Sequence, residues 1–181
     1  MKHIVWKAYW DFEKEEKWLN EMAAKGMALS DYSWCRYVFT EAPDNEYTYR
    51  IQLLRHKPDH PESIAYIRFM EESGVEFVAS YWYWIFLRKK SSDGSFDIFS
   101  DIDSRIDHYK RISIFLGSIG ALNLFVFLMG IVNLAVQENH GLAGISLLNI
   151  LNGIIAAGFT WLVSGYIRKI IRLKKEKLIY E

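Results

Sequence analysis

The sequence predicts an α+β protein: a cytosolic domain with the ferredoxin-like order β-α-β-β-α-β, followed by a two-helix transmembrane hairpin. Two observations predict this class. The first hundred residues alternate between strand-like and helix-like hydrophobic periods, and two long uncharged runs follow them. The predicted organisation of the 181-residue chain is a domain at 1–99, a linker helix at 100–111 and a hairpin with a basic tail at 112–181.

The elements of the front domain follow from residue spacing and from helix end signals. Asp11 can cap the first helix and Gly26 can end it, while Pro61 and Gly74 bracket the second. The predicted strands span 4–9, 29–40, 46–54, 75–88 and 96–99, and the predicted helices span 12–25 and 61–74.

Large aromatic side chains occupy both faces of the second and fourth predicted strands. The ferredoxin-like fold covers only one sheet face with helices, so aromatic residues on the other face need a cover. That cover is the linker helix, a second copy of the chain, a protein partner or a ligand. The candidate partner or ligand face consists of Tyr32, Trp34, Trp82, Trp84 and Phe86.

The charge balance excludes one class of partner for this face. RNA-binding sheets stack bases on such aromatic residues, but they also need clustered basic residues. Residues 1–100 carry 13 Lys and Arg against 16 Asp and Glu, a net charge of −3. A face covered by the chain itself or by another protein is therefore favoured over a nucleic-acid site.

The two uncharged runs are long enough to cross a membrane. Residues 112–136 and 145–167 hold 25 and 23 uncharged residues, and about 20 are needed to cross the hydrocarbon core. Lys and Arg residues precede the first run and follow the second, whereas the predicted loop between the runs, at 137–144, has none. The positive-inside rule therefore predicts a cell-membrane protein with both termini in the cytoplasm.

Small and amide side chains mark candidate helix–helix contacts within the spans. Amide groups in lipid favour a partner, and small residues four apart allow close helix approach. Neither run contains an ionisable side chain, which favours an anchor over a proton or ion path. The candidate contact residues are Gly117, Ala121, Asn133, Asn149, Asn152, Gly153 and Ala157.

The sequence shows no pattern typical of an enzyme. It lacks a nucleophile elbow, a phosphate loop and a metal-ligand spacing, so no catalytic, metal or cofactor residue is predicted. The one cysteine, Cys35, is interpreted as a small buried apolar residue. His56 and His60 flank a turn with Asp59 and are interpreted as loop residues.

Several blocks occur in a recognisable order within about residues 8–111: 14–20, Gly26, 32–37, 47–50, 69–76, 88–90 and 99–104. Together they resemble a bacterial family, the domain-of-unknown-function family 2812. The resemblance implies a prokaryotic origin, frequent membrane hairpins behind the domain and genes often next to PadR-type repressors. It implies no catalytic residues.

These observations predict a membrane-anchored, non-enzymatic regulatory or sensory module, and the resemblance implies a link to a PadR-type regulator. Its aromatic sheet face would bind a protein partner or an apolar effector. The alternative is an accessory or structural subunit of a membrane transporter complex. The expected partners are the lipid bilayer and either another protein or a second copy of the chain, and no nucleic acid is expected.

Overall fold

The structure is a computed structural model that describes residues 2–99, 101–136 and 147–180. The chain forms two compact units, Met1–Ser100 and Asp101–Glu181. The predicted loop at 137–144 lies outside the described residues, as do the first two residues of the second predicted span.

The first unit consists of strands and helices in the order β-α-β-β-β-α-β-β. Their bounds are β1 (Lys2–Trp6), α1 (Phe12–Ala23), β2 (Met27–Ser33), β3 (Arg36–Glu41), β4 (Tyr47–Leu53), α2 (Pro61–Glu72), β5 (Glu76–Tyr81) and β6 (Trp84–Lys90), followed by a short 3-10 turn at Ser91–Asp93. The side chain of Asp11 accepts a hydrogen bond from the Glu13 N–H at the start of α1, as its cap role predicts.

The six strands form two antiparallel sheets of three strands, with orders β1-β3-β2 and β4-β6-β5. The predicted α+β class is confirmed. The ferredoxin-like arrangement is not, because a β-α-β-β-α-β chain has four strands and this unit has six.

The extra strands arise where two predicted long strands each fold into a hairpin. Residues 29–40 turn at Trp34-Cys35, and residues 75–88 turn at Trp82-Tyr83. Two-residue hairpin turns usually contain Gly or Asn, which these lack, so the sequence shows no turn signal at either place. The predicted strand at 96–99 does not form, and Phe96 is instead buried in the core.

The two halves of this unit repeat one β-α-β-β design. Gly74 and Trp82 each lie 48 residues after their counterparts, Gly26 and Trp34. Both glycines follow a helix with positive φ, 73° and 82°, where a side chain would be strained. Both β2 and β5 also carry a register shift, at Leu29/Asp31 and at Phe77/Ala79.

The helix α1 also protects the free edge of the second sheet. The Asn20 side chain accepts from the Tyr49 N–H at 2.8 Å and donates to the Tyr49 C=O at 3.2 Å. The Glu16 carboxylate accepts the N–H of Ile51 at 2.9 Å. These bonds satisfy edge groups of β4 that would otherwise be open to pairing with another chain.

The second unit is an antiparallel pair of long helices, α3 (Ile102–Val136) and α4 (Leu147–Tyr180). Their 35 and 34 residues correspond to lengths of about 50 Å, against about 30 Å for a hydrocarbon core. Both helices are therefore long and apolar enough to cross a membrane. The predicted linker helix and first span are one continuous helix.

Candidate functional site

Three of the five aromatic residues predicted to form a partner face lie inside the first unit. Phe86 is buried, and its ring centroid is 4.4 Å from that of Tyr32. Trp84 is half-buried and packs against Phe12 of α1 at 5.6 Å. Since α1 and the first sheet pack on this side of β6, the chain itself covers most of the aromatic face.

The alternation of β6 explains this arrangement. Phe86 contributes to a core cluster shared with α1, whereas its neighbours Ile85 and Leu87 belong to a second cluster with Met70 of α2. Each face of the strand therefore meets a helix, which is why β6 is apolar on both faces.

The remaining two residues, Trp34 and Trp82, are exposed at the tips of the two hairpins. Their relative exposures are 68% and 65%. Each is the first residue of a two-residue turn, with φ of 31° at Trp34 and 56° at Trp82, and the following Cys35 has φ of 66°. Positive φ is uncommon for any residue with a side chain and unfavourable for a bulky one.

Both tips lie at the same end of the first unit because β2 and β5 run side by side in the same direction. At the start of β5, Glu76 pairs with Arg88 of β6. The Arg88 side chain donates at 3.2 Å to the C=O of Leu29, which lies near the start of β2. Near their ends, the rings of Tyr32 and Tyr81 are 6.0 Å apart. The turns that follow these strand ends therefore point the same way.

Two further exposed tryptophans belong to this end. Trp6 ends β1 opposite Arg36, the residue that leaves the first turn. Trp10 is exposed in the short connection between β1 and α1. We call the four residues Trp6, Trp10, Trp34 and Trp82 the tip surface. Four of the seven tryptophans of the chain are thus exposed at this end of the first unit.

An exposed cluster of this kind is unfavourable for a protein acting alone. Indole is a large apolar group, and an indole left in water contributes no burial energy to the stability of the fold. Two of the four tryptophans also have strained backbone conformations. Trp is, however, among the residues most enriched where proteins bind one another tightly. The tip surface is therefore the candidate functional site.

A titratable pair lies within the aromatic core, and sequence reasoning missed it. Glu15 accepts a hydrogen bond of 2.6 Å from the Tyr37 hydroxyl. Burial raises the pKa of Glu15 to about 7, although the bond from Tyr37 lowers it. Glu15 and its neighbour Glu16 both turn toward the sheets, since Glu16 accepts the Ile51 N–H. The signal in the sequence is their spacing, because Glu15 and Glu16 lie four and three residues before Leu19 and therefore on the same face of the helix.

The predicted membrane contacts divide between the helix interface and the outer surface. Asn149 is buried against Gly130, and a Cβ added to Gly130 would overlap the Asn149 side chain. A Cβ added to Gly153 would be 2.9 Å from the Phe127 ring. Asn152 donates to the Leu148 C=O of its own helix. Asn133, Ala121 and Ala157 are exposed on the helix surface.

Gly120 and Gly130, which were not among the predicted contact residues, also lie where α3 and α4 pack closely. A Cβ on Gly120 would be 2.9 Å from the Phe159 Cβ. A Cβ on Gly117 would meet no atom of the described chain within 4 Å. Close helix approach thus depends on Gly120, Gly130 and Gly153.

An open groove of about 730 Å³ runs along the outer surface of the hairpin. Its lining is apolar and includes Leu124, Phe127, Gly153, Ala157 and Trp161. Two of these, Gly153 and Ala157, are the small residues predicted to permit helix contact.

At the charged end of the hairpin, an ion pair and aromatic contacts join α3 to α4. Lys177 Nζ is 2.8 Å from a carboxylate oxygen of Asp103. The rings of Tyr109 and Tyr166 stack at 5.9 Å, and Lys169 Nζ lies 5.7 and 5.5 Å from their centroids. Aromatic and basic residues at this level are typical of a membrane–water interface.

One comparison with known proteins finds a match. The model of the family described as "Protein of unknown function (DUF2812)" matches residues 11–120, more than half of the chain. The match runs from α1 through β2 to β6 and into the first part of α3, and leaves out β1. No curated protein and no solved structure matches the sequence.

Proposed function

Since this chain belongs to the DUF2812 family, whose function is unknown, we propose that it is a membrane-anchored, non-enzymatic regulatory module that docks a protein partner through its tip surface. Its two apolar helices would form a multi-pass anchor in the cell membrane, with both termini in the cytoplasm. The exposure of Trp34 and Trp82 on strained turns is the observation that carries the proposal.

The shape of the tip surface favours a protein over a small apolar effector. A small ligand is bound in a concave site that covers most of its surface. Trp34 and Trp82 instead project from two hairpin turns and are about two-thirds exposed. A partner that supplies a groove for the indoles would bury them, as happens to the anchor residues of protein interfaces.

The resemblance described above makes a PadR-type repressor the first partner to test. Such a partner would bind DNA itself, so the acidic balance of residues 1–100 does not count against it. The module would then hold a regulator at the membrane or release it.

Cys35 provides a direct test because it is the only cysteine and lies beside Trp34 in the first turn. The purified full chain is labelled there with a photoactivatable cross-linker and mixed with the cytosolic fraction or with the candidate repressor. We expect one defined adduct that is lost in the Trp82→Ala variant, which leaves the label site unchanged.

The matched control is Phe69→Ala. Phe69 is 62% exposed on α2 and belongs to no hairpin turn, so its loss removes a comparable apolar surface elsewhere. An adduct that is equally strong in Trp82→Ala and Phe69→Ala would show that the second tip takes no part in docking.

The groove on the hairpin favours a second function, that of an accessory subunit packed against a transporter. Its occupant would be another membrane helix lying against Gly153 and Ala157. Co-purification in detergent would then survive deletion of residues 1–100 and would fail in Ala157→Leu, which fills the groove. Loss of the complex on the deletion would contradict this alternative.

A further inference from the structure

Three potential metal ligands converge where β4 is joined to α2. His56 lies in the connecting loop, His60 is the N-cap residue of α2, and Glu62 lies in its first turn. One donor atom of each lies within 4.8 Å of the other two. His56 Nε2 is 3.4 Å from Glu62 Oε2, and the two imidazole rings stack with their centroids 4.1 Å apart.

We propose that His56, His60 and Glu62 bind a divalent transition metal ion, with zinc as the representative. Two imidazole nitrogens and one carboxylate oxygen are a donor set that holds zinc in proteins and leaves a fourth position open. Imidazole also favours zinc, nickel and copper over magnesium and calcium, which prefer oxygen ligands. This site is separate from the tip surface and independent of the proposed docking role.

The geometry needs only small side-chain movements to close on an ion. Donor atoms about 2.1 Å from a tetrahedral zinc stand about 3.4 Å apart. The His56–Glu62 separation of 3.4 Å already has this value. His56 and Glu62 are exposed, so they can rotate, whereas His60 is half-buried and provides a fixed point.

Ligation by His60 replaces its present role at the helix end. His60 Nδ1 accepts the Glu62 N–H at 3.3 Å. This distance is slightly longer than most N–H···acceptor hydrogen bonds in proteins, so exchanging the bond for a metal bond costs little. A neutral imidazole has one lone pair available, and the metal takes it in place of the N–H.

The charges near the three ligands nearly offset one another. A pocket of about 450 Å³ is lined by His56 and His60 and also by Arg55, Lys57 and Asp59. The two basic residues and the positive end of α2 oppose any cation, while Glu62 and Asp59 favour one. Attraction by charge alone is therefore weak, and selectivity depends on the affinity of imidazole for the metal.

Zinc titration of the full chain in detergent, purified without a histidine tag and followed by calorimetry, tests the proposal. We expect one zinc per chain and no magnesium binding. The affinity should fall at least about tenfold in His56→Ala and in His60→Asn. Asparagine retains a good helix cap, so His60→Asn removes the ligand without removing the cap.

His3→Ala is the matched control because His3 pairs with Glu41, at 3.3 Å, and lies outside the proposed site. We expect it to bind zinc as the natural chain does. Cobalt in place of zinc should give the visible absorption of tetrahedral coordination, and this should vanish in His56→Ala. Absence of one-to-one zinc binding, or equal affinity in His56→Ala and His3→Ala, would overturn the proposal.

Discussion

Trp82 combines an exposed indole with a left-handed backbone, and neither feature stabilises the fold. Its φ of 56° places the Cβ close to the neighbouring backbone, a conformation that costs roughly 1–2 kcal/mol for residues other than Gly, Asn and Asp. Its ring stacks on Tyr81 at a centroid distance of 6.4 Å, which offsets only part of that cost. A residue retained at such a position is better explained by binding than by stability.

Trp82→Asn should therefore stabilise the free protein while weakening docking. Asn tolerates positive φ, so we expect the free energy of unfolding to rise by about 0.5–1 kcal/mol, measured by thermal or urea denaturation. Trp10→Asn is the control, since Trp10 is equally exposed without positive φ. A loss of stability in Trp82→Asn would show that packing of the indole stabilises the fold by more than the positive φ destabilises it.

Glu15 gives the first unit a pH-dependent stability. Its pKa is about 7 in the folded chain against 4.5 for the unconstrained group, so the folded state holds the proton more tightly. The contribution of protonated Glu15 to the free energy of unfolding is fully present below about pH 4.5 and is lost as the pH rises through about 7. The pKa difference corresponds to about 3 kcal/mol.

Glu15→Gln should remove most of this decline. Glutamine stays neutral and can still accept the Tyr37 hydrogen bond, so the variant should be more stable than the natural chain above pH 7 and similar to it at pH 4.5. Denaturation between pH 4.5 and 8 measures the difference. Parallel pH profiles for the two proteins would contradict the assignment.

At the level of secondary structure, the sequence predicts helices far better than hairpins. Asp11 and Pro61 mark the starts of α1 and α2 correctly, because helix ends have distinct side-chain chemistry. The turns at Trp34-Cys35 and Trp82-Tyr83 use bulky residues at positive φ, which no propensity rule favours. For the same reason, the sequence predicts Trp34 and Trp82 as residues of an aromatic sheet face and does not predict that they lie in hairpin turns.

Among the described glycines of the second unit, those that matter for helix packing lie where α3 and α4 approach closely. Gly120→Leu places a side chain against Phe159 and should destabilise the helix pair by about 1–3 kcal/mol. Gly117→Leu adds the same side chain where the described chain leaves open space. Thermal unfolding in detergent should therefore separate the two variants, and equal unfolding temperatures would refute the role of Gly120.

At the scale of the whole molecule, the division into a front unit and a two-helix unit is evident from the sequence, because charge-free runs of this length are rare in soluble domains. The internal repeat is not evident. Its two halves share strand order, a glycine and a tryptophan, while most other positions differ. Repetition therefore places two tryptophan tips side by side without leaving a clear sequence period.

The affinity of the full chain for its cross-linked partner, compared between the natural protein and the Trp34→Ala, Trp82→Ala double variant, tests the docking role most directly. We expect a loss of at least about 2 kcal/mol, roughly thirtyfold, because two anchor residues are removed. Phe69→Ala should leave the affinity unchanged. An affinity that is unchanged in the double variant would contradict the assignment of the tip surface as the docking site.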